Sequence, residues 1–340
     1  MRPVADCYAD PIMWPQIILL IVGLVLLVKG GELFVSAAVR IAEFSRMPRV
    51  VIGSTLVSLA TTTPELVVSI IAGAKGESGL AIGNAVGSCI CNIGLILGLT
   101  AALRHVDVHP AALRLPIIAM SGFGALLFLM TLDLRITRWQ GFVLIAGGLA
   151  YFTCDFFRNA RNRKPRDIAE AVAIERDEAQ RMKWFKSKSG SVVQFLIGAG
   201  IVVLGSRLLV DSAVKTANTL GIPSIIIGLT VVAMGTSLPE LITAVTSSRR
   251  NVSDLAVGNV LGANIANLTL IVGTAAALSD VTMSRTTQLF NFPALLVMFG
   301  ILLWMLLTDC RVTRKEGATL LVCYLFYIIG LVFLSAALKK

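Results

Sequence analysis

Two glutamates lie in the middle of long apolar stretches, each directly after a proline. The segments are LATTTPELVVS, which contains Glu65, and AMGTSLPELIT, which contains Glu240. Hydroxyl-bearing residues flank both glutamates at helical spacing. Carboxylate, hydroxyl and carbonyl oxygens are the ligands that hard cations such as Na⁺ and Ca²⁺ prefer. The spacing therefore predicts a cation site inside an apolar protein.

Polar residues share the helix face of each glutamate. Ser58, Thr61 and Thr62 precede Glu65 by seven, four and three residues, which places all four side chains on one stripe. Two later segments carry rows with a spacing of four, and we expect the stripes to meet. The four rows are Ser58, Thr61, Thr62, Glu65 and Ser69; Ala233, Thr236, Ser237, Glu240 and Ala244; Asn84, Ser88 and Asn92; and Asn259, Ala263 and Asn267.

The prolines and the charge of the glutamates favour a functional site. A proline removes one backbone hydrogen bond, so Pro64 and Pro239 are expected to break their helices and free carbonyl oxygens. A lone glutamate at a bilayer centre costs on the order of 3 kcal/mol. Two facing carboxylates also repel each other unless a cation lies between them. One Ca²⁺ balances two carboxylates, as do two Na⁺ or two H⁺, and mutual exclusion of these ions is the basis of antiport.

Structural interpretations of the same residues stay open. Glu65 and Glu240 could be protonated structural carboxyls, and Asn92 and Asn267 could simply join helices by hydrogen bonds. For Ser69 we favour a bond to the backbone. The glycines of these segments, Gly53, Gly83, Gly87, Gly94, Gly98 and their counterparts, are expected to allow close packing of helices.

The elements that position these residues are apolar runs long enough to cross a membrane. Of the 340 residues, 56% are hydrophobic and 15% are charged, which excludes an ordinary soluble domain. A spanning helix needs roughly 20 apolar residues. We therefore predict an all-α integral membrane protein with ten spans, near 16–39, 50–73, 79–103, 112–132, 139–157, 192–213, 224–247, 254–279, 288–307 and 317–337.

The net charge of +10 reflects topology, and we predict no nucleic-acid partner. Loops on one side of the predicted membrane hold 20 of the 30 Lys and Arg residues, which is the positive-inside pattern. The central loop is then cytoplasmic, both termini lie outside, and the location is the cell membrane. The six cysteines show no disulfide or zinc spacing.

The chain is duplicated. Residues 48–103 align without a gap to residues 223–278, with 23 identities in 56 positions. We predict a first five-helix repeat over 1–157, a cytoplasmic linker over 158–191 with a short amphipathic helix near 168–182, and a second repeat over 192–340. The repeated motifs cover 50–103 and 224–279. Because five is odd, the halves insert in opposite directions, an architecture found in secondary transporters.

The paired segments GTSLPELITA and GNVLGANIAN resemble the α-repeats of the cation/Ca²⁺ exchanger superfamily, and the short chain resembles its prokaryotic sodium/calcium exchangers. The resemblance implies exchange of Ca²⁺ for Na⁺ by alternating access, at a site between spans 2, 3, 7 and 8, with spans 1 and 6 sliding over that core. The cation ligands and site-lining positions that it implies are Glu65, Glu240, Thr61, Thr62, Thr236, Ser237, Ser58, Ala233, Ser88, Asn92 and Asn267.

Departures from the family pattern leave the coupling ion open. Thr63 replaces an apolar residue, Cys89 replaces an amide, and Asn267 stands where some sodium-coupled members have an acid. An asparagine keeps the polar contact and removes a titratable group. The first hypothesis is therefore a Na⁺/Ca²⁺ antiporter, and the second is a H⁺/Ca²⁺ exchanger.

Other classes of protein remain as alternatives. A cation channel would keep the acidic site but conduct without a counter-ion, and a membrane scaffold would tolerate loss of both glutamates. No nucleotide-binding motif points to an ATP-driven pump or another enzyme. We predict no cofactor and no obligate protein partner, so that Ca²⁺, Na⁺ and the lipid bilayer are the expected partners.

Overall fold

The computed structural model describes residues 13–44, 62–107, 110–162, 187–249, 253–308 and 311–337, and these are almost entirely helical. The α-helices, in chain order from α1 to α14, are Met13–Phe44, Thr63–Ala74, Ser78–Cys91, Gly98–Leu103, Pro110–Met130, Arg138–Asn162, Lys188–Leu220, Ser224–Ile227, Ala233–Thr236, Leu238–Arg249, Ser253–Ala266, Val272–Leu278, Arg285–Thr308 and Arg314–Ala337. Three π-helical segments, Asn92–Leu97, Gly228–Val232 and Asn267–Ile271, continue α3, α8 and α11. Four short strands are β1 Val106–Asp107, β2 Arg135–Ile136, β3 Val281–Thr282 and β4 Arg311–Val312.

The all-helical class is confirmed. In the described ranges, six helices are long and apolar enough to cross a membrane, or seven if the bent pair Ser224–Thr236 and Leu238–Val245 forms one span. Thr63–Ala74 and Arg114–Met130 are shorter apolar helices. The first part of the predicted second span and the predicted linker helix near 168–182 lie outside the described residues.

The core of the protein is built around the helices that carry the asparagine rows. The most apolar stretches of Ser78–Leu103 and Ala256–Leu278 are 78% buried, whereas those of Trp14–Phe34 and Ser189–Leu220 are only 28% and 33% buried. Large apolar side chains such as Trp139 cover the outer surface. An apolar exterior around a partly polar interior is the arrangement expected in lipid.

The four strands show that the two halves are related by a pseudo-two-fold axis. Strand β1 pairs antiparallel with β4, and β2 pairs antiparallel with β3. In the repeat alignment β3 is the counterpart of β1, and β4 is the counterpart of β2. Exchange of the halves therefore converts one strand pair into the other, as an inverted repeat requires. The pairing also places the loops 104–114 and 308–316 together, on the same side as predicted.

The two long helices α1 and α7 pack against each other through glycines that obey the same symmetry. A Cβ on Gly23 would lie 3.0 Å from the Gly205 carbonyl oxygen, and one on Gly198 would lie 3.1 Å from the Gly30 carbonyl oxygen. Gly198 and Gly205 follow Gly23 and Gly30 by 175 residues, so these contacts are one contact seen twice. Small residues let membrane helices approach this closely.

Other glycines confirm the packing interpretation. A Cβ on Gly83 would lie 2.6 Å from the Ile225 carbonyl oxygen, and one on Gly87 would lie 2.7 Å from the Leu229 Cα. Gly94 and Gly98 are enclosed as closely by other helices. Gly53 lies outside the described residues.

The starts of α6 and α14 are fixed by matching capping boxes. The Gln140 side chain accepts a hydrogen bond from the Thr137 backbone N–H at 2.7 Å, and the Glu316 carboxylate accepts one from the Thr313 N–H at 2.8 Å. In both boxes the threonine hydroxyl accepts in return from the later backbone N–H. The short-range sequence TRxQ or TRxE therefore sets where each helix enters.

Candidate cation site

Both glutamates lie in the first turn of a new helix. Helix α2 begins at Thr63 with Pro64 in its first turn, and α10 begins at Leu238 with Glu240 in its first turn. The chain bends by 42° between Ser224–Thr236 and Leu238–Val245. The break predicted at the second proline is thus confirmed, and proline is well tolerated at such a start. The helix N-terminus also favours a negative charge on the glutamate.

Glu65 joins the two halves of the protein. Its side chain is fully buried, and its Oε1 accepts a hydrogen bond from the Ser237 hydroxyl at 3.2 Å. Its Oε2 is buried and has no hydrogen-bond partner within the described part of the chain. Glu240, three residues after Ser237, is also fully buried. A carboxylate from each half therefore lies in one water-free region of the interior.

Asn84 organises the helices around Glu65. Its amide nitrogen donates to the Glu65 backbone carbonyl at 3.2 Å and to the Ser69 hydroxyl at 3.0 Å. Its amide oxygen accepts from the Thr236 hydroxyl at 3.2 Å. The Ser69 hydroxyl donates in turn to the Ala81 carbonyl at 3.4 Å, which confirms the expected backbone bond. One side chain on α3 thus fixes α2 and the polar turn of the second half.

A second pair of asparagines lies deeper in the same core. The Asn92 amide nitrogen donates to the Asn264 Oδ1 at 2.9 Å, and the Asn264 nitrogen donates to the Cys89 carbonyl at 3.4 Å. Asn92 Oδ1 has no hydrogen-bond partner among the described residues, and neither does either polar atom of Asn267. These groups are completely buried. Their unused hydrogen-bonding capacity is costly in a membrane interior, where water cannot compensate it.

π-Helical turns mark the same two positions in both halves. Asn92 begins the segment Asn92–Leu97, and Asn267 begins the segment Asn267–Ile271. A π-helical turn shifts the hydrogen-bond register of a helix and is frequent at functional sites. The repeat alignment therefore carries over from residue type to an unusual backbone geometry at both asparagines.

The structure buries the predicted site residues that it describes. Ser88 and Thr236 are completely buried, whereas Thr62 and Ser237 are 3% and 1% exposed. The Ala233 carbonyl accepts from the Ser237 N–H at 3.1 Å and from the Thr236 hydroxyl at 3.3 Å, so part of its capacity as a backbone ligand is used. The remaining buried members are Glu65, Glu240, Asn92, Asn267 and Ala233; Ser58 and Thr61 lie outside the described residues.

Sequence reasoning missed the two asparagines that hold the site together. Asn84 belongs to a predicted polar row but was not among the predicted site residues, and Asn264 was not singled out. A signal for Asn264 exists in the alignment, because it stands opposite Cys89, where a polar residue is absent from the first half.

The ion pairs beside the core were only partly predicted. Both residue pairs of opposite charge on α1 and α7 were interpreted as local ion pairs. Lys29 and Glu32 do pair, at 2.9 Å. For Asp211 the prediction of a bond to Arg207 is wrong, because its carboxylate contacts Lys75 at the end of α2 instead. The contact between helices brings Lys75 closer than helical spacing alone would suggest.

The oxygen-rich composition of the site suits a hard cation. Within the described ranges there is no group of three or more His, Cys, Asp or Glu side chains that could hold a metal. The potential ligands are instead two carboxylates with hydroxyl and amide oxygens. Na⁺ and Ca²⁺ bind such oxygen sets, whereas soft transition metals prefer sulfur and imidazole.

Comparisons with known proteins agree with this chemistry. The family model described as Sodium/calcium exchanger protein matches residues 15–154 and 190–333, one match in each half. Sodium/calcium exchanger MaX1 of Methanosarcina acetivorans is 29% identical over 93% of this chain and 98% of its own. Inner membrane protein YrbG of Escherichia coli is 33% identical over 84% of this chain and 88% of its own.

Solved structures give the same result. The sodium-calcium exchanger NCX_Mj matches with a TM-score of 0.62 and 29% identity, over 94% of this chain and 99% of that chain. The matched family residues make up most of the sequence, and the spanning helices make the chain a multi-pass membrane protein. The chain is therefore a member of the sodium/calcium exchanger protein family, which are transporters and not enzymes.

Proposed function

We propose that the protein is a secondary antiporter that exchanges Ca²⁺ for Na⁺ across the cell membrane by alternating access. The cation site lies between the helix pairs α2–α3 and α10–α11, and its ligands come from the predicted set around Glu65 and Glu240. Ten helices cross the membrane as two inverted halves of five, with the central loop in the cytoplasm and both termini outside.

The observation that carries the proposal is the burial of one carboxylate from each half in the same polar core. Glu65 Oε1 accepts from Ser237 of the second half, and Glu65 Oε2 retains an unused lone pair. A bound cation would neutralise both carboxylates and use this free oxygen. One Ca²⁺ or two Na⁺ balance the two charges, so the ions exclude each other and take turns at the site.

Similar proteins support the same ions. MaX1 carries the name sodium/calcium exchanger, and NCX_Mj has been studied after soaking with Na⁺ and Ca²⁺ or with Na⁺ and Sr²⁺. The paired helices α1 and α7 lie outside the buried core and contact each other along the pseudo-two-fold axis. They are the elements best placed to slide over the core as the site opens to alternate sides.

Asn267 gives a specific reason to consider H⁺ as the coupling ion. Its neutral amide is fully buried and does not add a third negative charge to the two glutamates. A site of two charges is balanced by one Ca²⁺ or by two protons. A H⁺/Ca²⁺ exchanger is therefore the second candidate function.

Uptake of ⁴⁵Ca²⁺ into proteoliposomes tests the proposal. Vesicles are loaded with Na⁺ and diluted into Na⁺-free buffer, and a parallel set is given only a pH gradient. We expect uptake with the outward Na⁺ gradient and none in vesicles with equal Na⁺ on both sides. Uptake driven by the pH gradient alone would replace Na⁺ by H⁺ in the proposal. Uptake at channel-like rates without any counter-gradient would contradict exchange altogether.

A further inference from the structure

A basic pocket lies at one end of the helix bundle, away from the cation site. It has a volume of about 540 Å³ and lies between the end of α4, the end of α10 and the start of α14. Arg104, His105 and Arg314 line it, together with the hydroxyl of Ser248. The described side chains that line this pocket include no acid. Its lining thus has the charge of an anion site.

The pseudo-two-fold axis shows what occupies the matching position at the other end of the bundle. In the repeat alignment His105 corresponds to Asp280, and Arg314 corresponds to Arg138. The Asp280 carboxylate contacts the Arg135 guanidinium and accepts a hydrogen bond from the Arg138 backbone N–H at 3.1 Å. One end of the molecule therefore carries its own anion where the other end carries a histidine.

The small residues around the pocket differ in the same sense. At the Asp280 end, the Ser279 hydroxyl donates to the Gly73 carbonyl at 3.2 Å and closes the space. The counterparts of Ser279 and Gly73 are Arg104 and Ser248. Ser248 is only 3% exposed, and its hydroxyl has no hydrogen-bond partner in the described ranges. A hydroxyl donor is thus buried beside the arginines and is available to a ligand.

The arginines of the pocket are not neutralised by the protein. No ion pair joins Arg104 or Arg314 to a carboxylate of the described residues. The one acid near the start of α14, Glu316, has its carboxylate engaged by the backbone and the hydroxyl of Thr313. Guanidinium groups with an adjacent hydroxyl favour a tetrahedral oxyanion such as phosphate, which accepts several hydrogen bonds at once.

We propose that this pocket binds a phosphate group, and that the phosphate belongs to the headgroup of an anionic membrane lipid. Leu103 and Val245 complete the lining beside the basic residues, and Leu103 is 53% exposed. A polar end next to an exposed apolar edge matches a lipid better than a free ion. Basic pockets between membrane helices are known to bind phospholipid headgroups.

The pocket is coupled to the cation core through two helices. Ser248 lies in α10, eight residues after Glu240, and Thr100 lies in α4, eight residues after Asn92. A headgroup bound here connects the ends of both site helices to α14. The lipid therefore stabilises the folded protein in the same region that holds the exchanged ions.

Thermal unfolding of the purified full-length protein in neutral detergent tests the inference. Short-chain phosphatidylglycerol, short-chain phosphatidylcholine and inorganic phosphate are titrated at constant ionic strength, since a bound ligand raises the unfolding temperature in proportion to its affinity. We expect saturable stabilisation by phosphatidylglycerol and little by phosphatidylcholine. Arg104→Gln and Arg314→Gln should each weaken the dissociation constant about tenfold, as loss of a charged hydrogen bond does.

Two further variants use the symmetry of the molecule. His105→Asp places a carboxylate where Asp280 lies in the other half, and should weaken the lipid about tenfold by taking the place of the anion. Arg138→Gln removes the counterpart of Arg314 and serves as the matched control, which should bind the lipid like the wild type. All four positions are at the ends of helices, so the variants are expected to fold.

The outcomes separate the two sources of phosphate. Binding of phosphatidylglycerol without binding of inorganic phosphate identifies the lipid headgroup. Competition by inorganic phosphate that is lost in Arg104→Gln keeps the pocket as a phosphate site and replaces the lipid by the free ion. Absence of binding by either probe, or equal weakening by Arg138→Gln, would overturn the inference.

Discussion

The two halves of the protein hold their buried polar groups in different ways. In the first half Asn84 donates to the Glu65 carbonyl and to Ser69, whereas the amide nitrogen of its counterpart Asn259 has no hydrogen-bond partner among the described residues. The reason lies in one residue, because Ala244 replaces the serine in the second half. Identical asparagines in the sequence therefore do different work in the structure.

The deeper asparagines show the opposite bias. Asn264 of the second half bonds to Asn92, but its counterpart in the first half is Cys89, which leaves Asn267 without the equivalent bond. The glycine contacts and strand pairs are nonetheless closely symmetric. The backbone thus keeps the two-fold relation that alternating access needs, while the polar interior has become asymmetric and can treat ions differently on its two sides.

Neutralising either glutamate is expected to have the largest effect. Glu65→Gln or Glu240→Gln keeps the size of the side chain and removes one of the two charges that balance the cation. Loss of a charged ligand worth about 3 kcal/mol reduces affinity by about a hundredfold. We therefore expect ⁴⁵Ca²⁺ uptake to fall by at least about that factor at low Ca²⁺. Glu32→Gln, which affects only the exposed pair with Lys29, should leave uptake unchanged.

A difference between the two glutamine variants would sharpen the comparison of the halves. Equal losses mean that both carboxylates hold the same ion. Normal uptake in either variant, with the protein correctly inserted, would remove that glutamate from the proposed site and make it a structural group.

The second prediction concerns the unequal asparagines. Asn84→Ala removes three hydrogen bonds and leaves buried partners behind, so it should lower the free energy of unfolding by about 2–4 kcal/mol. Asn259→Ala removes an amide whose nitrogen has no partner, and should cost about 1 kcal/mol or less. Denaturation of both variants in the same detergent gives the comparison. Equal destabilisation would show that the second half has polar contacts of similar strength.

The sequence was sufficient to predict the features that repeat. The glutamates, the helix break at Pro239 and the helical class follow from residue type, spacing and the 175-residue alignment, because each depends on local chemistry. The choice of partner could not be predicted. Asn84 reaches the Glu65 carbonyl, and Lys75 displaces Arg207 at Asp211, through contacts between helices distant in sequence.

The third prediction tests whether Asn267 is available to ions because Cys89 lacks an amide. Cys89→Asn restores the residue type that Asn264 has in the other half, and should pair with Asn267 as Asn264 pairs with Asn92. Competition for one hydrogen bond is worth about 1 kcal/mol, so we expect Ca²⁺ affinity to fall about fivefold in transport assays. Cys89→Val is the control for added volume without a polar group.

The two Cys89 variants distinguish pairing from crowding. Weaker Ca²⁺ binding in Cys89→Asn alone supports a role for the free amide of Asn267 in the ion site. An equal loss in both variants would point to overpacking of the core, and no loss in either would leave Asn267 as a structural residue.

The smallest effect is expected at the ends of the bundle, where the acid at Asp280 contrasts with His105. The hydrogen bond from Arg135 holds the pKa of Asp280 below its ordinary value. A carboxyl whose pKa is lowered by folding stabilises the protein above its unfolded pKa, and this contribution is lost as the pH falls through the lowered value. At neutral pH Asp280→Asn should therefore unfold at a lower temperature than the wild type.

This difference should be small and should depend on pH. Because the pair between Asp280 and Arg135 is exposed, a change on the order of 1 °C is expected at pH 7. It should shrink toward zero in acid, as the wild-type carboxyl is protonated and becomes equivalent to the amide of the variant. Unfolding temperatures of both proteins from pH 7 down to the acid limit of the detergent give the measurement. A difference that stays constant over this range would mean that Asp280 acts through its hydrogen bond to the Arg138 N–H, which an asparagine can retain only in part, and that its charge does not hold the two halves together.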